Sequence, residues 1–104
     1  MVTFNGSAWL SPSDSSPQYA YRIEAGNYII VSTDHFIEST GSGSTITLPT
    51  PVGIQGKPFV VINASGGNIT VDTAAGNING SASVTLIDEE SMSVISNNTN
   101  YKIY

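Results

Sequence analysis

Along most of the chain, apolar and polar positions alternate with a period of two, and the three-and-four spacing of an amphipathic helix is absent. Thr45-Ile46-Thr47-Leu48, Asn68-Ile69-Thr70-Val71-Asp72, Ser83-Val84-Thr85-Leu86, Ser91-Met92-Ser93-Val94 and Tyr101-Lys102-Ile103-Tyr104 all follow this rule. Each predicts a strand with one face inside and the other carrying Ser, Thr or Asn. Gln18 to Glu24, which alternates Tyr19, Tyr21 and Ile23, is a further candidate. Two runs are continuously apolar, Tyr28-Ile29-Ile30-Val31 and Phe59-Val60-Val61-Ile62. They predict strands buried on both faces, as central strands or at a subunit contact.

Turn residues punctuate these runs. Ala64-Ser65-Gly66-Gly67 predicts a hairpin loop between strands at 58–63 and 68–72, and Asn97-Asn98-Thr99-Asn100 turns the chain into its last strand. Asn and Gly suit such places because they tolerate positive φ. The expected fold is all-β and mainly antiparallel, a sandwich, jelly-roll or prism-like domain of about eight or nine strands. A Gly-Asn-Ile unit recurs at residues 67–69 and 76–78. A solenoid needs about three stacked units, so two copies predict successive strand–turn units instead. Residues 11–17, Ser-Pro-Ser-Asp-Ser-Ser-Pro, form a linker-like stretch. The division expected is an N-terminal arm or edge element over 1–17 and a single β domain over 18–104.

Composition narrows the partners. The 104 residues make one domain, and only 11% are charged, against about 25% in ordinary globular domains. The net charge is −5, and the three cations are Arg22, Lys57 and Lys102. Three cations cannot build a phosphate-tracking groove or grip an anionic membrane, so neither nucleic acid nor membrane is an expected partner. No apolar run approaches the roughly 18 residues of a membrane-spanning helix. The opening Met-Val-Thr-Phe-Asn-Gly-Ser-Ala-Trp-Leu lacks a basic region and a continuous apolar region, so no signal peptide is expected there. Cysteine is absent, which removes disulfides, thiolate zinc sites and cysteine nucleophiles together.

Little in the chain points to catalysis. His35 is the sole histidine. Its neighbour Asp34 would project to the opposite face of a strand, so His35 is expected to be an ordinary turn residue. Asp88-Glu89-Glu90 lacks the spacing of a calcium loop and is expected to be a solvated loop or one turn of helix. Gly53-Ile54-Gln55-Gly56-Lys57-Pro58 lacks the glycine spacing and the hydroxyl residue of a phosphate loop. The expectation is a non-enzyme with no catalytic residue, cofactor or metal. Trp9, Tyr19, Tyr21 and Tyr28 carry more interest, since aromatic rings stack on sugar faces and also dominate cores and interfaces. Trp9, Tyr19 and Tyr21 are the candidates for receptor contact.

From residue 28 onward the order of elements is distinctive. Tyr28 to Val31 with Asp34 is followed by Thr45-Ile46-Thr47-Leu48-Pro49, then Gly53-Ile54-Gln55-Gly56-Lys57 and the Phe59 to Asn63 strand. Then come Gly67-Asn68-Ile69-Thr70-Val71, Gly76-Asn77-Ile78-Asn79-Gly80, Val84-Thr85-Leu86 and Asn100-Tyr101-Lys102-Ile103. This series resembles a β module of bacteriophage tail fibres, tail spikes and related virion appendage proteins. The module's closing aromatic is often Trp, where this chain has Tyr101. The resemblance implies a structural protein at the phage particle surface, a homotrimer contacting other virion proteins, with attachment to a host-surface glycan or protein as its task. A capsid decoration protein that hooks a neighbour through residues 1–17 is the alternative, and a carbohydrate-binding module is a further one.

Overall fold

The structure, a computed structural model, describes residues 19–104. Trp9 and the expected arm over residues 1–17 lie outside the described residues. Among those described there are strands and no helix: β1 (Tyr21–Glu24), β2 (Tyr28–Ile29), β3 (Phe36–Ser39), β4 (Thr45–Leu48), β5 (Pro58–Asn63), β6 (Ile69–Thr73), β7 (Ser83–Leu86), β8 (Ser91–Ser96) and β9 (Tyr101–Ile103). They form two sheets, ordered β1-β3-β5-β8-β9 (sheet A) and β2-β4-β6-β7 (sheet B).

The all-β expectation holds, but the mainly antiparallel one does not. From β1 to β6 the chain alternates between the sheets, and each strand pairs in parallel with the one laid down a turn earlier. Tyr21 lies beside Phe36 and Phe36 beside Val60, while Tyr28 lies beside Ile46 and Ile46 beside Val71. Residues 21–73 are thus three stacked coils, the solenoid-like arrangement that the sequence argued against. The repeat is hidden because the coils differ in length and share no residue motif. The Gly-Asn-Ile recurrence is unrelated to it: one copy enters β6, and the other forms an isolated bridge at Ile78. Antiparallel pairing begins after the third coil. β7 reverses along β6, β8 along β5 and β9 along β8, which closes the stack.

The inward positions make the core. In sheet A they are Ile37, Phe59, Val61, Met92, Val94 and Tyr101, and in sheet B they include Ile30, Ile46, Leu48, Ile69, Val71 and Leu86. Each large aliphatic or aromatic side chain withdrawn from water contributes roughly 1.5–3 kcal/mol before the cost of chain ordering. Tyr101, the closing aromatic, is fully buried, meets Phe59 edge-on at 6.2 Å, and donates its hydroxyl to the Pro49 carbonyl at 2.6 Å. Burial pushes that hydroxyl up to about 12. The two continuously apolar runs separate here. Phe59 to Ile62 does form the central strand of sheet A. Tyr28 to Val31 lies at the edge of sheet B, with Ile29 and Val31 exposed.

What makes the coil is the corner. Ala64 to Gly67 is not a hairpin loop; it carries the chain from sheet A across to sheet B. Asn63, itself buried, directs this turn. Its Nδ2 donates to the carbonyls of Gly67 at 2.8 Å and Leu86 at 3.0 Å. Its Oδ1 accepts from the Ser65 N–H at 3.0 Å and the Ser65 hydroxyl at 2.6 Å. Its backbone exchanges bonds with the turn after β7, donating to Glu90 and accepting from Glu89. Corners of successive coils stack closely: a Cβ added at Gly41 would lie 1.8 Å from the Ala25 carbonyl oxygen, a space only glycine leaves free.

Two neighbours in this corner column make opposite predictions. Asn63→Ala strands the Leu86 carbonyl, takes from the Gly67 carbonyl one of its two side-chain donors and frees the Ser65 groups from their acceptor, and should cost about 3 kcal/mol in urea unfolding. Ser39 sits beside Asn63 in the β3–β5 register, fully buried, with no partner for its hydroxyl among the described residues. Ser39→Ala removes an unsatisfied hydroxyl and should leave stability unchanged or raise it by about 1 kcal/mol.

Candidate functional site

The two sheets present very different outer faces. On sheet B the outward positions of β4, β6 and β7 align as Thr45–Thr70–Thr85 and Thr47–Asp72–Ser83, a surface of hydroxyls and one carboxylate, with Ile29 of β2 beside Thr47 at the edge. On sheet A they align as Tyr21–Phe36–Val60–Ser93 and Ile23–Glu38–Ile62–Ser91. Over its first three strands the second face is apolar apart from Glu38, and it is aromatic at one end.

That aromatic end is the candidate site. Tyr19 is 65% exposed and stacks on His35, with ring centroids 4.6 Å apart. Phe36 meets His35 edge-on at 4.4 Å, and Tyr21, 54% exposed, tilts against Phe36 at 5.9 Å. The Tyr21 hydroxyl donates to Glu38 Oε1, and this bond raises its proton affinity. Burial, together with the charge of Lys57, lowers the His35 pKa, which favours a neutral ring at pH 7. The result is a ledge of four rings bordered by a carboxylate. The alternation in Gln18 to Glu24 placed Tyr19 and Tyr21 on one face. What the sequence did not show is that the face is the outer one, or that coil stacking sets Phe36 and His35 beside them. Only the Tyr21–Phe36 register brings these residues together.

The inward face of the same strand carries the remaining surprise. Arg22 and Glu24 occupy the columns that hold Ile37 and Ser39 one coil later. They form a polar cap with Tyr28 and Asp34. The guanidinium lies 4.9 Å above the Tyr28 ring, with Nη1 3.0 Å from Glu24 Oε2 and Nε 3.5 Å from Asp34 Oδ1. Asp34 Oδ2 accepts from the Tyr28 hydroxyl at 2.6 Å and the Val31 N–H at 3.1 Å. Burial alone would raise the Asp34 pKa. The Tyr28 hydroxyl, the Val31 N–H and Arg22 outweigh it and hold the carboxyl below its usual value. Burial first, then the bond to Asp34, pushes Tyr28 up to about 12. Asp34 is therefore committed to the cap rather than to His35, whose ring packs on Tyr19 and Phe36.

The other acids do not converge. Asp88 Oδ1 accepts from the Gly66 N–H at 2.9 Å, and Glu90 Oε1 accepts from the Ile87 N–H at 2.9 Å. Glu89 has a φ of 70° in a tight turn, so Asp88 to Glu90 is a loop and not a turn of helix. Among the described residues no group of three or more potential ligands comes together, and no cavity opens at the surface. A flat ledge with stacked rings, a carboxylate and a neutral imidazole is suited to a ligand with one apolar and one hydroxylated side.

The cap predicts a stability profile with two arms. Asp34 has a folded pKa below its usual 3.8. Its contribution is therefore present above that value and is lost as pH falls through the lower folded value. Tyr28 and Tyr101 are raised from 10.0 to about 12, so their contribution is complete below pH 10 and is lost as pH rises through 12. Thermal unfolding followed across pH should fall at both ends. Asp34→Asn should flatten the acid arm and cost about 2 kcal/mol at neutral pH, because Tyr28, Val31 and Arg22 lose an ionised acceptor.

The chain matches no family model and no curated protein.

Proposed function

We infer that this chain is a non-enzymatic structural component of a phage virion appendage, a tail-fibre, spike or head-fibre element, and that it attaches to a host-surface glycan through the Tyr19–Tyr21–His35–Phe36 ledge. The observation that carries the attachment role is the ledge: four rings, two of them well exposed tyrosines, on an outer sheet face that no other described element covers. The ordered series from Thr45 to Ile103 supports the virion setting. A pyranose ring offers apolar C–H faces to stacked aromatics and equatorial hydroxyls to groups at their rim. Glu38 accepts hydrogen bonds and His35 in its neutral form both donates and accepts, which suits hydroxyls rather than phosphates. One small ledge binds weakly, so attachment relies on several copies acting together.

The capsid-decoration alternative rests on residues 1–17, outside the described residues, and gains no support from the ledge. The carbohydrate-binding module shares the ledge and differs from the favoured reading only in its biological setting.

The test is binding of the intact chain to host-cell envelope polysaccharide immobilised on an array. Tyr21→Ala and Tyr19→Ala should each weaken binding about ten-fold, since each removes a stacking surface worth roughly 1–1.5 kcal/mol. Thr70→Ala, on the outer face of sheet B, should leave binding unchanged. Equal binding by the tyrosine variants and the parent would remove the ledge from the mechanism. Failure of the parent to bind either the array or whole cells would remove the attachment role.

A further inference from the structure

The stack has two ends, and they are built differently. Among the described residues its first coil leaves β1 as the edge of sheet A and β2 as the edge of sheet B. We propose that the β1 edge pairs with the β1 edge of a second copy of this chain, antiparallel and about a two-fold axis through Ile23. This goes beyond the attachment reading and does not depend on it.

The backbone parity of β1 comes first. The carbonyls of Ala20 and Glu24 accept from the N–H groups of Phe36 and Thr40, so both point into the sheet towards β3. Backbone groups alternate sides along a strand. Arg22 therefore also faces β3, while Tyr21 and Ile23 direct their N–H and C=O groups to the outer edge. An antiparallel partner centred on Ile23 makes Ile23 a hydrogen-bonded pair with its own copy, closing two N–H···O bonds across the axis.

Charge is the second argument. Two-fold antiparallel pairing about residue 23 places residue 22 opposite residue 24 of the other copy. Those residues are Arg22 and Glu24, which lie on the same inward face and already meet within one chain at 3.0 Å. The cross-strand Arg22–Glu24 pairs fall at the narrow, non-hydrogen-bonded positions, where facing side chains approach most closely. Each pair occurs twice, so the edge is complementary to itself. On the outward face the axis sets Ile23 against Ile23, and that side chain is 61% exposed in the single chain. At the same end of the stack, Ile29 and Val31 on sheet B are also exposed.

The chemistry of the opposite edges sharpens the choice. The outward positions of β7 are Ser83 and Thr85, which offer no comparable apolar surface. β9 carries Lys102 between Tyr101 and Ile103, so a two-fold axis through it would set like charges together. Of the four sheet edges, β1 is the one that joins outward-directed backbone groups with no partner among the described residues, an exposed aliphatic and a self-complementary charge pair. The contact is isologous, whereas the trimer implied by the family resemblance requires two different surfaces to meet. The ledge stays open in such a pair, because Tyr19 and Tyr21 project from the outer face rather than from the edge.

The experiment is absolute mass by light scattering behind size exclusion, over a dilution series of the full chain. The expected mass is twice 10.9 kDa at the concentrated end, falling towards one chain on dilution. Ile23→Lys sets two ammonium groups face to face on the axis and should weaken association at least about ten-fold, because every change at the axis acts twice. The residue is exposed in the single chain, so circular dichroism, and the melting temperature at dilutions where the parent is a single chain, should match the parent. Glu24→Arg should also weaken association, and the exchange Arg22→Glu with Glu24→Arg should recover part of it. A single-chain mass at every concentration overturns the proposal. So does an assembly of any size that Ile23→Lys leaves intact, since the contact then lies elsewhere.

Discussion

The hydrogen bonds of Asn63 decide the architecture. An apolar residue at the end of β5 would continue the strand or let it fold back as a hairpin. A buried amide must be satisfied on both its oxygen and its nitrogen, and the partners that satisfy it lie around the corner and across in sheet B. Leaving them unmade would cost several kcal/mol in a dry interior, so the chain turns where the amide demands. Once β6 is committed to the opposite sheet, β5 can pair in parallel with β3, and the coil is closed. The same residue receives the turn that carries β7 into β8, so the end of the parallel stack and the start of its antiparallel closure share one side chain.

Stacked coils impose a rule on every strand. Inward positions are added to a column, and a column needs an end. At the closing end, Tyr101 supplies it with a ring in the core and a hydroxyl on Pro49. At the opening end, Arg22, Glu24, Tyr28 and Asp34 supply it with ions that satisfy one another. The chain has few charges, and it places its single arginine here. A guanidinium can lie over a tyrosine ring and reach two carboxylates at once, where an ammonium would reach one. Because Arg22 and Glu24 take the inward positions, strand alternation drives Tyr21 and Ile23 to the outside. The ledge and the cap are two faces of one four-residue strand, and neither exists without the other.

This coupling explains what was legible in the sequence. Period-two alternation locates β4, β6, β7 and β8 almost to the residue, because in each of them one face is mostly apolar and the other mostly polar, with Ile95 and Ser96 reversing the rule only at the end of β8. β3 is harder: Phe36-Ile37-Glu38-Ser39 puts an aliphatic and a serine inside and an aromatic and an acid outside. Its alternation is broken by the needs of the corner and the ledge. The parallel pairing left no local trace, since a hairpin and an arch both ask for Gly, Ser and Asn. Tyr19 and Tyr21 stood out as aromatics in polar surroundings. His35 and Phe36 did not, because membership of the ledge depends on a register between strands separated by a whole coil. Asp34 looked like a neighbour of His35 and proved to be the anchor of the cap.

The low charge of the chain then has a structural consequence. Sheet edges in isolated domains are commonly guarded by lysines or prolines that repel a second strand. Here Lys102 guards β9, and Lys57 lies 5.4 Å from the Phe59 ring at the start of β5, away from any edge. β1 is left with Arg22 and Glu24, one of each sign. A like-signed pair would repel a copy of itself. An opposite-signed pair separated by one residue is neutral towards solvent and attractive towards its own antiparallel image. The residues that seal the core from water at the first coil thus fail, by their signs, to seal the edge from another chain. The end cap of the fold and its most self-complementary edge are the same two side chains.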